Sequence, residues 1–291
     1  MIEIETHTID VPGATLTYDI RGNFDSVTPE RPALLLIGSP MDASGFGTLA
    51  SYFTDRPVVT YDPRGVARSK RTDGRVVTSP DEHADDLSRL IDALGVGKVD
   101  VLASSGGAVN ALALVAQHPE KVRTLVAHEP PIAQVLPDRD EVLAVNHDIH
   151  ETYQRSGLGP AMAKFIAFVN FAGPLPSDYL EQPAPDPAAF GLPTEDDGSR
   201  DDQLLGQNLP TCVPYEHDLE ALASSPTRIV LAAGKESMEG MAGRAAAALA
   251  GFLGTNLAIF PSNHGGFLGG EFGMYGDPPG FAAALRDTLG G

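Results

Sequence analysis

Four short apolar runs, each closed by polar or turn-forming residues, constrain this chain more than any other feature. They are Ala33-Leu34-Leu35-Leu36-Ile37 before Gly38, Pro57-Val58-Val59-Thr60-Tyr61 before Asp62-Pro63-Arg64-Gly65, Val99-Asp100-Val101-Leu102-Ala103 before Ser104-Ser105-Gly106-Gly107, and Val122-Arg123-Thr124-Leu125-Val126-Ala127 before His128-Glu129-Pro130-Pro131. A continuous run of strand length has no polar face to offer water, so it fits a strand buried on both sides of a parallel sheet. Helical patterns lie between the runs. Residues 80–94 open on Ser79-Pro80-Asp81-Glu82, a capping signal with proline in the first turn, and carry Leu87, Leu90, Ile91 and Leu94 before Gly95. Residues 106–117 are rich in glycine and alanine and mostly apolar, which suits a central helix lying close on the sheet. Alternating strands and helices predict the α/β class.

The ends and middle of the chain read differently. Ile2 and Ile4, then Ala14, Leu16, Tyr18 and Ile20, alternate about the turn Val11-Pro12-Gly13 and predict an antiparallel hairpin. Between Pro131 and Ser225 the alternation stops: 138–154 and 160–171 read as helices, and 173–200 has the Pro, Asp and Gly content of a mobile loop or lid. The core pattern resumes with a strand at Arg228–Ala233, a helix at 239–253, a strand at Asn256–Phe260 and a helix at 279–289. The predicted organisation is a core formed by 1–131 and 226–291, interrupted by a helical cap at 132–225.

Composition narrows the partners. The 291 residues are 42% hydrophobic and 20% charged, enough for a core without covalent staples. With 20 Lys and Arg against 39 Asp and Glu, the net charge of −19 repels phosphate backbones and anionic lipid. The expected partner is a small-molecule substrate, with no nucleic acid and no membrane; a homo-oligomer stays open. A single cysteine, Cys212, excludes an intrachain disulfide and a cysteine-built metal site, and it is expected to be a packing residue. No metal and no cofactor are expected, since no calcium loop, P-loop, dinucleotide fingerprint or H-E-x-x-H occurs. No apolar stretch reaches the roughly 20 residues of a membrane span, and the opening MIEIETHTID lacks the features of a secretion signal, so a soluble cytoplasmic protein is expected.

The candidate chemistry centres on Ser105, between a strand end and a helix start. A nucleophile there needs a sharp turn with small residues two before and two after, which Ala103 and Gly107 supply. The following helix aims its free N–H groups at the site, so the Gly106 N–H is one candidate oxyanion donor. The loop Gly38-Ser39-Pro40-Met41 offers a second in the Ser39 N–H. Pro261-Ser262-Asn263-His264-Gly265-Gly266-Phe267 holds the one histidine in a Gly-rich loop after a late strand, making His264 the candidate base for Ser105. His7, His83, His118, His147, His150 and His217 read as solvated or hydrogen-bonded loop residues.

On these residues the chain resembles the α/β-hydrolase superfamily, including its esterase, lactonase and proline-iminopeptidase-like branches. I-G-S-P (37–40) is similar to the family's H-G-G-P, D-P-R-G-V-A-R-S (62–69) to its D-x-R-G-x-G-x-S, A-S-S-G-G (103–107) to its nucleophile elbow, and N-H-G-G-F (263–267) to its catalytic-histidine loop. The resemblance covers nearly the whole chain and implies a mostly parallel eight-stranded sheet flanked by helices, with a cap between two strands. Ile37 and Ala103 depart from the pattern, but the family's donors there are backbone groups. The resemblance implies a buried ion pair between Asp62 and Arg64 as scaffold. The family's usual acid follows the strand after the cap. Here that position is Ser237, not a carboxylate, and Glu236 is one step off. Zearalenone lactonases are similar in placing the acid after the strand that follows the elbow helix, which here is Glu129. Glu129 is the preferred acid and Glu236 the alternative.

These residues predict a cofactor-free serine hydrolase of a small, largely neutral ester or lactone. The alternatives are C–C cleavage, lyase or perhydrolase chemistry in the same pocket, or a catalytically silent ligand-binding receptor.

Overall fold

The computed structural model describes residues 4–290, so Ile2 of the predicted hairpin lies outside the described residues. β1 (Ile4–Val11) and β2 (Ala14–Arg21) form that hairpin, with Val11 opposite Ala14. The chain continues through β3 (Leu34–Ile37), α1 (Gly47–Ser51), β4 (Val58–Tyr61), β5 (Lys70–Arg71), α2 (Pro80–Leu94), β6 (Val99–Ser104), α3 (Gly106–Gln117) and β7 (Val122–His128). After β7 come α4 (Arg139–Ser156), α5 (Leu158–Val169), α6 (Leu209–Cys212) and α7 (Leu219–Ser224), and then β8 (Arg228–Gly234), α8 (Met241–Phe252), β9 (Ala258–Phe260) and α9 (Pro278–Gly290).

The sheet runs β1-β2-β4-β3-β6-β7-β8-β9, parallel from β4 onward. These eight strands are the predicted ones. The two-residue β5 pairs with β2 beside the path, making nine strands rather than eight. Its residues are Lys70 and Arg71, so no apolar pattern announces it.

The parity of the apolar runs explains the layers. Leu35, Ile37, Val59, Val101, Ala103, Leu125, Ala127, Leu231 and Ala233 face the cluster that holds α2, α3 and α8. Their neighbours Leu34, Leu36, Val58, Leu102, Val126 and Ala232 face the cluster under α1 and α9. All four residues of β3 are fully buried, each side chain stabilising by about 1.5–3 kcal/mol. Helix α2 starts where its capping signal stands: the Glu82 N–H donates to Ser79 Oγ at 3.2 Å, and Glu82 accepts from the Ser79 N–H at 3.4 Å.

The segment between β7 and β8 carries α4 to α7 and a single π-turn at Leu204–Asn208. Residues 173–200 hold two short 3-10 turns and no α-helix. Cys212 is buried there, and burial pushes its thiol up to about 12, which suits a packing role. Among the described residues, no helix is long and apolar enough to cross a membrane.

Candidate active site

The candidate residues follow the C-terminal ends of the parallel strands. β6 stops at Ser104 and α3 starts at Gly106, so Ser105 forms the turn between them, with φ 58° and ψ −130°. A side chain with positive φ costs about 1–3 kcal/mol and persists only where neighbours enforce it. The enforcement is local: the Ser105 N–H donates to the His128 carbonyl at 3.0 Å, and the Ala108 N–H donates to the Ser105 carbonyl at 2.9 Å. Space sets the rest. A Cβ on Gly106 would stand 2.6 Å from the Ser39 carbonyl, and one on Gly107 would stand 2.5 Å from the Ile37 carbonyl. Glycine at both positions lets the N-terminus of α3, with its free N–H groups, lie directly against the loop after β3.

β7 ends at His128, and Glu129 follows it with φ 48° and 1% exposure. Its Oε1 accepts from the Gly234 N–H at 2.8 Å and from Ser237 Oγ at 2.5 Å. Its Oε2 meets His264 Nδ1 at 2.5 Å. Burial alone would raise this carboxyl; the bond and charge of His264, with the Ser237 hydroxyl, outweigh it and hold the group at about 2. Glu129 is therefore ionised at neutral pH and acts only as an acceptor. His264 must then carry its proton on Nδ1, which leaves the Nε2 lone pair free to accept another. His264 itself is half exposed.

The structure thus brings Glu129 and His264 together, with Ser105 tied to the residue before Glu129. Among the described residues no hydrogen bond joins Ser105 Oγ to His264; such bonds are often long in unliganded sites and tighten when substrate arrives. Glu236 is not brought to His264. Its N–H donates to the Ser262 carbonyl at 2.9 Å.

Two neighbours of Glu129 escape the sequence reading. Ser237, at the position where the resemblance implied an acid, donates its hydroxyl to the Glu129 carboxylate. A serine three residues past Gly234 is the signal that could have indicated it. His128 lies fully buried beneath the site, with Nδ1 3.1 Å from Ser104 Oγ, Nε2 4.0 Å from Glu129 Oε1 and its ring 6.0 Å from that of His264. Burial holds it down at about 4, so it is a neutral imidazole at working pH.

The D-P-R-G-V-A-R-S segment supports the site differently from the predicted Asp62–Arg64 pair. Arg64 reaches into α2 instead, with Nε 2.9 Å and Nη2 2.5 Å from the two oxygens of Asp86. Asp62 accepts from Arg68 Nε at 2.7 Å and from the Ala43 N–H at 3.0 Å, pinning the chain just beyond Ser39. A partner in α2 cannot be seen in the motif itself, because tertiary packing selects it. The reading of these histidines as loop residues holds for His217 and fails for His83 in α2, His7 in β1, and His147 and His150 in α4. His83 lies buried in α2, and buried His217 meets the Val109 carbonyl through Nε2 at 3.0 Å.

From the segment between β7 and β8, Asn208 Nδ2 donates to Ser39 Oγ at 2.9 Å, and a Cβ on Gly106 would stand 2.7 Å from the same nitrogen. No sequence signal marks this contact across 169 positions. Among the described residues, no group of three or more His, Cys, Asp or Glu side chains could hold a metal ion.

Comparison with known proteins identifies the family. Residues 34–179 match the family model described as alpha/beta hydrolase fold. The chain is 30% identical over 272 residues to the uncharacterized hydrolase YraK of Bacillus subtilis strain 168, covering 91% of each. Among solved structures it superposes on an alpha/beta hydrolase enzyme from a Medee basin deep-sea metagenome library with a TM-score of 0.68 at 15% identity, over 98% of both chains. It also superposes on a thermophilic esterase from Thermogutta terrifontis with a TM-score of 0.65 at 18% identity, again over 98% of both chains.

Proposed function

Because this chain belongs to the alpha/beta hydrolase family, we propose that it is a serine hydrolase that cleaves a small, largely neutral ester or lactone through an acyl-enzyme on Ser105. The 2.5 Å contact between His264 Nδ1 and the buried Glu129 carboxylate carries this reading. It fixes the imidazole in the tautomer that a base for Ser105 needs, and it stabilises the imidazolium formed on proton transfer.

The steps follow from those atoms. Ser105 Oγ attacks the carbonyl carbon while His264 Nε2 takes its proton. The carbonyl oxygen becomes an oxyanion, held by the Gly106 and Ser39 N–H groups and the positive end of α3. The tetrahedral centre collapses, and His264 returns the proton to the departing alcohol oxygen. Water, deprotonated by His264, then attacks the acyl-enzyme and releases the acid, with the proton passing back to Ser105. No cofactor enters the sequence. The acidic surface disfavours anionic substrates, because an anion would approach against a net charge of −19.

Ser105→Ala is expected to abolish turnover of p-nitrophenyl acetate and covalent labelling by a fluorophosphonate. Hydrolysis unchanged in that variant contradicts the assignment. Turnover of a C–C or lyase substrate without an acyl-enzyme transfers the pocket to the alternative chemistry.

A further inference from the structure

A narrow cleft lies beside Ser39, between the core and the segment that joins β7 to β8. The core contributes Ser39, Thr78 and His83; the π-turn and the residue before it contribute Gln203, Gln207 and Asn208. Its volume is about 10 Å³, room for a single water molecule. Asn208 joins this cleft to the oxyanion site, since its amide holds Ser39 Oγ and lies against Gly106.

Two observations mark the cleft as built for a ligand. First, His83 is only 7% exposed, yet its Nδ1 has no hydrogen-bond partner. An unpaired buried polar atom costs about 1–3 kcal/mol, a cost that a bound group with a matching donor or acceptor removes. Second, the polar groups set among Pro40, Pro63 and Val66 in its walls carry no free charge. Arg64 also lines the cleft, but Nε and Nη2 are held by Asp86, and Nη1 donates to the Pro12 carbonyl at 2.8 Å. A neutral imidazole presents one N–H donor and one lone pair, and the surrounding amides and hydroxyls present both kinds of group. The complementary ligand is uncharged and both gives and accepts hydrogen bonds.

We propose that this cleft is the specificity subsite, taking a hydroxyl carried a few atoms from the reacting carbonyl of the substrate. The inference rests on the hydrolase reading and narrows it to hydroxylated esters and lactones. Asn208 stands at the junction: turning away from Ser39 admits the substrate, and its amide then faces the polar group.

The test compares p-nitrophenyl butyrate with p-nitrophenyl 2- and 3-hydroxybutyrate. The expected result is a kcat/KM at least about tenfold higher for one hydroxylated ester, because a site built to bond a hydroxyl rejects the analogue lacking it. The ratio should fall towards one in His83→Phe and in Gln207→Leu. Equal kcat/KM values in the wild type overturn the proposal, as do variants that slow all three esters while keeping the ratio. Should His83→Phe fail to fold, Gln207→Leu reads the same ratio. Binding of butyramide and of its 2- and 3-hydroxy forms to Ser105→Ala, by calorimetry, separates the two readings. Tighter binding of a hydroxylated amide without ester turnover in the wild type keeps the subsite and removes the hydrolase. Ester turnover with no discrimination in either measurement does the reverse.

Discussion

Ser105 and Glu129 share an unusual backbone state: both are non-glycine residues with positive φ, 58° and 48°. Each closes one of two adjacent parallel strands, and each is held by a bond to the next strand, from Ser105 N–H to the His128 carbonyl and from Glu129 N–H to the Ala232 carbonyl. The strain of two such residues is sustained where it orients a hydroxyl and a carboxylate. Glu129→Gln keeps the shape but removes the charge that fixes the His264 tautomer. It is expected to lower kcat by about 10³–10⁴, whereas Glu236→Gln should stay within about twofold of wild type. Equal losses in the two variants would remove Glu129 from the acid role. Ser237 acts through Glu129 as a positioning residue. Ser237→Ala removes one hydrogen bond to a charged group, so kcat should fall about tenfold at unchanged KM, and Ser237→Thr should restore it. A loss that Thr does not rescue would mark the effect as packing.

At the level of elements, the junction between α3 and the loop after β3 depends on closeness that no side chain can enter. The nearest atom to a Cβ on Gly107 is the Ile37 carbonyl oxygen, a backbone atom that cannot rotate away. Gly107→Ala is expected to lower stability by about 1–3 kcal/mol. Gly251→Ala, in α8 with nothing within 4 Å of its Cβ, should raise it by about 0.5–1 kcal/mol through helix propensity. Thermal melting of the two variants checks the contrast, and shifts of the same sign would refute it. Such elements are legible in sequence when their signals are local. Ser79, Pro80, Glu82 and Gly95 bound α2 at 80–94, and the small residues after Ser105 start α3 at 106. Signals weaken where the signal is shared. The helix predicted at 239–253 forms as 241–252, and the strand predicted at 256–260 begins only at Ala258. They vanish where a partner lies far along the chain. Arg64 with Asp86, Asn208 with Ser39 and Ser237 with Glu129 are all choices made by packing, so the Glu129–His264 pair could be named in advance while these supporting bonds could not.

For the molecule as a whole, acid is the revealing variable, because the fold buries three imidazoles in neutral form. Burial holds His83 down at about 3, and His128 and His217 at about 4, all against an ordinary value of 6.5. In the unfolded chain these rings take up protons as pH falls below 6.5, while in the folded protein they resist until pH 3–4. Their contribution to stability is therefore complete above about 6.5 and is lost progressively as pH falls towards the folded values. The surface acts oppositely: a net charge of −19 repels itself, and protonating exposed carboxylates relieves that repulsion. Salt screens the surface term but hardly touches the buried one, so denaturant unfolding at high ionic strength isolates the histidines. His217 is the cleanest probe, since it stands away from Glu129 and donates Nε2–H to the Val109 carbonyl. A glutamine amide can make the same donation without titrating. Between pH 6.5 and 4, the wild-type unfolding free energy should therefore fall more steeply than that of His217→Gln, by up to about 1.4 kcal/mol per pH unit in the middle of the interval. Parallel curves over that interval would mean that the buried ring is protonated in the folded protein as readily as in the unfolded chain.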